Sequence, residues 1–502
     1  NYFDNNGLYG GISSVYRESF KLYEETLGID FYEITGYTEN ADIDIVDNDL
    51  LGSGAYAVSQ NITNGKSSWG AINISTSWVS SLGTSMGSYL WQTVHHEIGH
   101  ILGLGHQGNY NGTASYGSDA KFANDSWQSS IMSYFSQTDN TTIDADYAQL
   151  LTPSAVDWIA LDDIYSDYSG FGVSNAFNGD TIFGFNTNIT SSTSEIWNSF
   201  SSKISDYSYC IVDGSGNDTL DLSGMTSNDY IDLRPTDKTS SSLYASDIGG
   251  LTGNLHIAAD TYIENCISGS GNDELIGNNQ DNNLQSGAGN DTINGGSGND
   301  TLDGGTGNDT LIGGTGDDII IGGSGTDTVT YAEGSIYNYE TYINGADNKV
   351  YITDKTSNRN GSDSLDGIEN ISFGGTSYSA SDIRTNSINH SDGYKLLTDS
   401  GAVTLKGQNG SDTFNDSTSD NWDVTAAKET GSGFSVLFEG TGSYEGYNSI
   451  WTTNSSGVMI SGSGWLSDAE TASAGYETVF NRDFNNDGEI ANRFLSFSSR
   501  IC

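Results

Sequence analysis

From residue 268 to residue 330 the chain repeats itself every nine residues, seven times without a gap: SGSGNDELI, GNNQDNNLQ, SGAGNDTIN, GGSGNDTLD, GGTGNDTLI, GGTGDDIII and GGSGTDTVT. The eighth place is always aliphatic, and the sixth is Asp in every unit but the second, where Asn282 stands. Glycines at places one, two and four let the backbone turn tightly and aim carbonyl oxygens inward. The aspartate adds a carboxylate, and the next three residues form a short strand with one side chain in a core. A disordered glycine-rich linker would not keep an aliphatic at every ninth place. Carbonyls and carboxylates are hard oxygen donors, and calcium prefers about six to eight of them. Asp273, Asp291, Asp300, Asp309, Asp318 and Asp327 are therefore candidate calcium ligands, as is Asp218 in the isolated unit DGSGNDTLD at 213–221.

The same block carries ten acidic side chains and no Lys or Arg. Without calcium these charges repel, and one aliphatic per nine residues is too little core to offset backbone ordering. With calcium, binding free energy becomes folding free energy. The block is thus expected to be disordered in calcium-poor cytosol and to fold outside the cell. Asn278 and Gln280 stand where the second unit should have glycines, which predicts an interruption of the array. The pattern resembles the parallel β-roll of RTX proteins. It is echoed beyond residue 330 by GSDSLDGIENISF (361–373) and GQNGSDTF (407–414).

Six histidines occur in 502 residues, and four of them fall in HHEIGHILGLGH, residues 95–106. A helix brings residues four apart onto one face, so His96 and His100 can point at a common atom. Glu97 sits beside that face, within reach of a metal-activated water. Gly103 can adopt the positive φ that ends a helix sharply, returning His106 to the same point. Three neutral imidazoles plus one water is the open coordination of a catalytic zinc. His95 lies about 100° around the helix from His96 and is expected in an outer shell or at the surface. His256 and His390 are expected to be solvated.

The string H-E-x-x-H-x-x-G-x-x-H resembles the metzincin metalloproteases, whose second mark is a methionine turn beneath the metal. SSIMSYFS (129–136) fits, with Met132 as the turn residue. MSY, together with HQGNYN after the third histidine, is most similar to the serralysins. The resemblance implies that Tyr134 also reaches the zinc and steadies the oxyanion. It implies peptide hydrolysis by Glu97-assisted attack of zinc-bound water, with substrate paired along an edge strand that GAYAVS (54–59) resembles. Departures are Gln107 and Asn109, where the family has proline and aspartate, and a lead-in of only 95 residues before His96.

These readings give a multidomain chain. An α+β catalytic domain of the metzincin type (1–170) is followed by an all-β parallel β-roll domain (171–385) and a small β-rich domain with Trp422, Trp451 and Trp465 (386–502). In the first, ISSVYRESFKLYEETL (12–27) has a helical apolar stripe closed by Gly28, and ADIDIVDND, GAYAVSQN and GAINIS read as strands. The last is expected to consist of mostly short strands, and loosely resembles tryptophan-rich C-terminal domains of large bacterial extracellular proteins. Within it, Asp483, Asn485 and Asp487 fit the start of an EF-hand-type loop, but Phe494 replaces the bidentate glutamate, leaving a weak calcium site or a plain polar turn.

Acidic groups outnumber basic ones by 66 to 17, for a formal charge of −49. Such a field repels nucleic acid and anionic membrane surfaces. No apolar run approaches the ~20 residues that span a bilayer. Cys210, Cys266 and Cys502 are too few for a disulfide framework; Cys210 and Cys266 are either a pair or two thiols. The expected partner is a protein or peptide substrate, outside the cell or at its surface, with one zinc and several calcium ions as cofactors. A second reading is a bacterial cell-surface structural or adhesive protein that self-associates through its C-terminal domain and carries a vestigial or self-processing protease domain.

Overall fold

The computed structural model describes residues 2–4, 8, 11–34, 41–47, 54–60, 69–190, 195–239, 243–334, 336–343, 349–356, 359–380, 387–388, 395–398, 401–414, 422–480 and 484. The chain divides into two compact units, residues 1–296 and 297–502. The first begins with β1 (Tyr2–Asp4), helix α1 (Ile12–Leu27), β2 (Tyr32–Ile34), β3 (Ile43–Val46), β4 (Ala55–Gln60) and β5 (Trp69–Ile74). Their sheet has the order β2-β1-β3-β5-β4, parallel except for β4, which runs antiparallel to β5 at one edge. Ile43 and Ile45 point into the core, as alternation requires. Helix α2 (Thr76–Leu82) leads into helix α3 (Tyr89–Leu102). A Cβ on Gly70 of β5 would lie 2.7 Å from Ile101 of α3, so the glycine admits the helix onto the sheet. Helix α1 ends at Gly28, whose φ of 70° is left-handed, and buries Tyr16, Phe20 and Tyr23.

Further along this unit the chain winds into short parallel strands that alternate between two sheets. One holds Tyr230–Asp232, Glu274–Ile276 and Thr292–Ser297, with Leu275 beside Ile293. The other holds Ile182–Gly184, Thr219–Asp221, Asn265–Ile267 and Asn283–Gln285, with Cys266 beside both Leu220 and Leu284. Neighbours in one sheet are thus 18 residues apart within the repeat, two units per coil. Cys210 and Cys266 are both buried thiols and form no bridge.

The second unit repeats the pattern, with Leu302 beside Ile320, Leu311 beside Val329, and then Leu365 and Ile371 taking the next places. All seven aliphatics at the eighth place of the nonapeptide are buried. At Gly316 the fourth-place glycine is required: its φ is +134°, and a Cβ there would lie 1.9 Å from the Gly298 carbonyl oxygen one coil earlier. Later in this unit an antiparallel meander forms from Trp422–Thr430, Gly433–Gly440, Tyr447–Thr453 and Met459–Ser467. Ser387–Ile388, Lys395–Thr398 and Gly401–Thr404 are short, as expected, whereas these four strands are seven to nine residues long, longer than expected. The reason is sustained alternation: Phe434, Val436 and Phe438 all face one core, against which Trp422, Trp451 and Trp465 pack.

Candidate metal centre

Ser88 starts helix α3 by accepting the Trp91 amide on its hydroxyl, and Gly103 ends it with φ 111°. The sharp stop matters because Leu104, just past it, turns its carbonyl oxygen to accept the His100 Nδ1 proton at 2.9 Å. His96 Nδ1 is 2.8 Å from the Ile131 carbonyl oxygen, and His106 Nδ1 is 2.9 Å from that of Tyr110. A carbonyl can only accept, so all three rings carry their proton on Nδ1 and leave Nε2 as a lone pair. The three Nε2 atoms converge: His106 Nε2 is 3.3 Å from that of His96 and 3.0 Å from that of His100. Burial lowers the pKa of each ring, to about 3 for His96. Three neutral donors within 4.8 Å of one another, each fixed from behind, are what a zinc ion takes.

Glu97 is 5% exposed, and burial pushes its carboxyl up to about 8. Its Oε2 is buried with no hydrogen-bond partner among the described residues. The Tyr134 ring lies 4.6 Å from that of His106 and 6.0 Å from that of His96, and burial raises its phenol. Met132 is buried beneath helix α3: a Cβ on Gly99 would lie 2.8 Å from the Met132 sulfur, so this glycine lets the turn approach. His95 turns away to α1. It is fully buried rather than at the surface, with Nε2 3.3 Å from Ser19 Oγ, and its carbonyl accepts the Tyr23 hydroxyl. His256 corrects the expectation of a solvated ring: it is buried on the strand Leu251–Ile257, held neutral with a pKa of about 4 by desolvation. His390, Asp483, Asn485, Asp487 and Cys502 lie outside the described residues.

Two supports escaped the sequence reading. Asp157, near the start of helix α4 (Ala155–Tyr165), accepts the Ser130 hydroxyl and the Ile131 and Ser154 amides at 2.6–2.9 Å. It thereby bolts down the turn whose Ile131 carbonyl orients His96. Asp125, also fully buried, accepts from Tyr110 and Ser133. Neither has a sequence signal, because both bonds join segments with no shared period.

In the roll, sixth-place acids give one oxygen to the backbone N–H of the acid one coil earlier. Asp273 N–H donates to Asp291 Oδ1, Asp300 N–H to Asp318 Oδ1, and Asp309 N–H to Asp327 Oδ1, at 2.8–2.9 Å. The ladder also takes in acids that the sequence reading did not name. Asp229 donates to Asp273, Asp218 to Glu264, Asp318 to Asp363 and Asp327 to Glu369. A signal existed, since each stands two places before a buried apolar residue: Ile231, Cys266, Leu365 and Ile371. The second oxygens of Asp213, Asp229 and Asp327 are buried without a hydrogen-bond partner among the described residues, which suits a cation shared with backbone carbonyls. The second unit departs from this. Asn278 and Asn282 donate their amide protons to the Ile263 and Glu264 carbonyl oxygens, filling with N–H what other turns leave to a positive ion.

Residues 174–311 match the model of the Peptidase M10 serralysin C-terminal family, and residues 303–335 that of the RTX calcium-binding nonapeptide repeat. The chain is serralysin-like. Among curated relatives, it is 41% identical over 219 residues to metalloprotease AprA of Pseudomonas entomophila, covering 42% of this chain and 41% of that one. It is 34% identical over 274 residues to serralysin of Photorhabdus luminescens, covering 53% and 52%. Serralysin C of Dickeya chrysanthemi is 40% identical over 188 residues, covering 37% and 36%. The matched, serralysin-like part thus spans 36–52% of the length of these relatives. No helix among the described residues is long and apolar enough to cross a membrane.

Proposed function

We propose that this chain is a secreted zinc endopeptidase of metzincin type whose roll folds on calcium. The observation that carries the reading is the convergence of three Nε2 lone pairs, with the buried Glu97 next in sequence to His96 and its Oε2 without a hydrogen-bond partner among the described residues. The serralysin-like relatives, which carry metalloprotease names, support it. His96, His100 and His106 would hold the ion. A bound zinc would acidify a water toward a pKa of about 7 and polarise a carbonyl.

The remaining work falls to the chain. Glu97, kept from bulk water, takes a proton from the attacking water as the C–O bond forms. It then returns that proton to the leaving nitrogen as the C–N bond breaks. Tyr134 donates its phenolic hydrogen to the developing oxyanion. The outer side of β4, last in its sheet, offers backbone groups along which an extended peptide pairs. Asp218, Asp273, Asp291, Asp300, Asp309, Asp318 and Asp327 supply carboxylates to structural calcium. Casein hydrolysis by the purified chain tests this, with Glu97→Gln as control. The wild type should cleave and the variant should not; equal rates would refute the assignment.

A further inference from the structure

We propose that Asp125 is a positioning residue that ties the loop orienting His106 to the turn presenting Tyr134. The idea rests on the zinc reading above. One carboxylate oxygen, Oδ1, accepts both the Tyr110 hydroxyl at 3.0 Å and the Ser133 hydroxyl at 2.7 Å. Tyr110 is the residue whose carbonyl fixes the His106 ring, and its own ring stacks on His106 at 5.5 Å and 24°. That ring also stands 4.8 Å from Tyr134. Ser133 is the residue immediately before Tyr134.

The segment that Asp125 begins holds the Tyr134 turn on both sides. Trp127 Nε1 donates to the Ser133 carbonyl oxygen at 3.0 Å, and the Trp127 amide donates to that of Phe135 at 2.9 Å. Tyr134 is thus bracketed by two residues fixed to 125–127, and Asp125 adds a carboxylate link across to the His106 loop, beside the ring contact of Tyr110 with Tyr134. A fully buried carboxylate is expensive, and a purely structural bracket would be served by the tryptophan bonds alone. Charge-assisted bonds are roughly twice as strong as neutral ones, which suits an anchor for two loops that no regular element joins.

The test uses the full chain in excess calcium, stripped of zinc and titrated with zinc against a competing chromophoric chelator. The visible spectrum of the cobalt-loaded protein is a second readout. Asp125→Ala should weaken zinc binding by about 10- to 100-fold and alter the cobalt bands, with the calcium-dependent β signal unchanged. Asp125→Asn, which keeps an acceptor, should lose less. Tyr110→Phe, which removes one bond and leaves Asp125 in place, should show the same cobalt change in weaker form. Wild-type affinity and spectrum in Asp125→Ala would overturn the proposal. If that variant does not fold, an unchanged Tyr110→Phe overturns it. A wild type that binds no zinc would sink this inference and the metal reading together; a wild type that binds zinc no better than the variants would sink this one alone.

Discussion

Burial keeps both Glu97 and the three imidazoles neutral until a dication arrives. The histidines are thereby ready donors, whereas Glu97 holds a proton up to about pH 8 and is an unwelcome acid in the metal-free protein. Glu97→Gln should therefore leave the melting temperature of metal-free protein unchanged or raised, while lowering peptide hydrolysis about 10²- to 10⁴-fold. Calorimetry and a peptide assay on one preparation check both halves. Gly99 makes the opposite kind of site, where the residue is wanted for its smallness. Gly99→Ala should cost about 1–3 kcal/mol by pressing on the Met132 sulfur, read as a lowered thermal transition of the metal-free chain. The histidines and Glu97 were legible in the sequence because helical periodicity encodes which of them converge. Asp125, Asp157 and Tyr110 were not. Asp125 and Asp157 draw on partners 15 and 27 residues away as well as nearer ones, Tyr110 fixes His106 through its backbone carbonyl, and a hydroxyl or carbonyl in a Ser-rich stretch carries no pattern.

At the scale of the roll, the carboxylates reverse the usual pH behaviour of acidic proteins. Burial raises Asp213, Asp291 and Asp327, and pushes Asp363 to about 8. A carboxyl whose folded pKa exceeds its unfolded value binds more protons folded than unfolded between those two values. Its contribution is therefore lost as pH rises from about 4 through 8. In chelator, the roll should keep more of its β signal at pH 5 than at pH 8, and saturating calcium should abolish or invert that difference. Circular dichroism spectra at the two values decide it. Asn282 gives the complementary case. Asn282→Asp removes amide protons that satisfy the Ile263 and Glu264 carbonyl oxygens, so the calcium-free roll should weaken and its dependence on calcium should steepen. The nine-residue period made this element readable, including its interruption. The acids at 229 and 264 were hidden because their coils keep only the acid and the apolar residue two places on, whereas those at 363 and 369 lie in a stretch legible only as an echo of the repeat.

For the molecule as a whole, the proposed function gives two kinds of ion separate tasks: one would be held by nitrogen for chemistry, several by oxygen for folding. Each buried aliphatic contributes only about 1.5–3 kcal/mol, one per nine ordered residues, so calcium removal should erase most of the roll's β signal. Circular dichroism during chelator titration reads this directly. The C-terminal meander follows different rules, since its strands bury alternating Phe and Val residues against three tryptophans. The broad succession of parts was legible because each has its own period, helical, ninefold or alternating. The extent of the last strands was not, because how far each runs is set by pairing with its neighbours in the meander. The most direct test is zinc per chain, measured by elemental analysis in the wild type and in His96→Ala, His100→Ala and His106→Ala, with casein hydrolysis recorded on the same samples. One zinc and hydrolysis in the wild type, with both lost in every variant, is the predicted result; a wild type that hydrolyses casein without zinc, or variants that keep the metal, would contradict it.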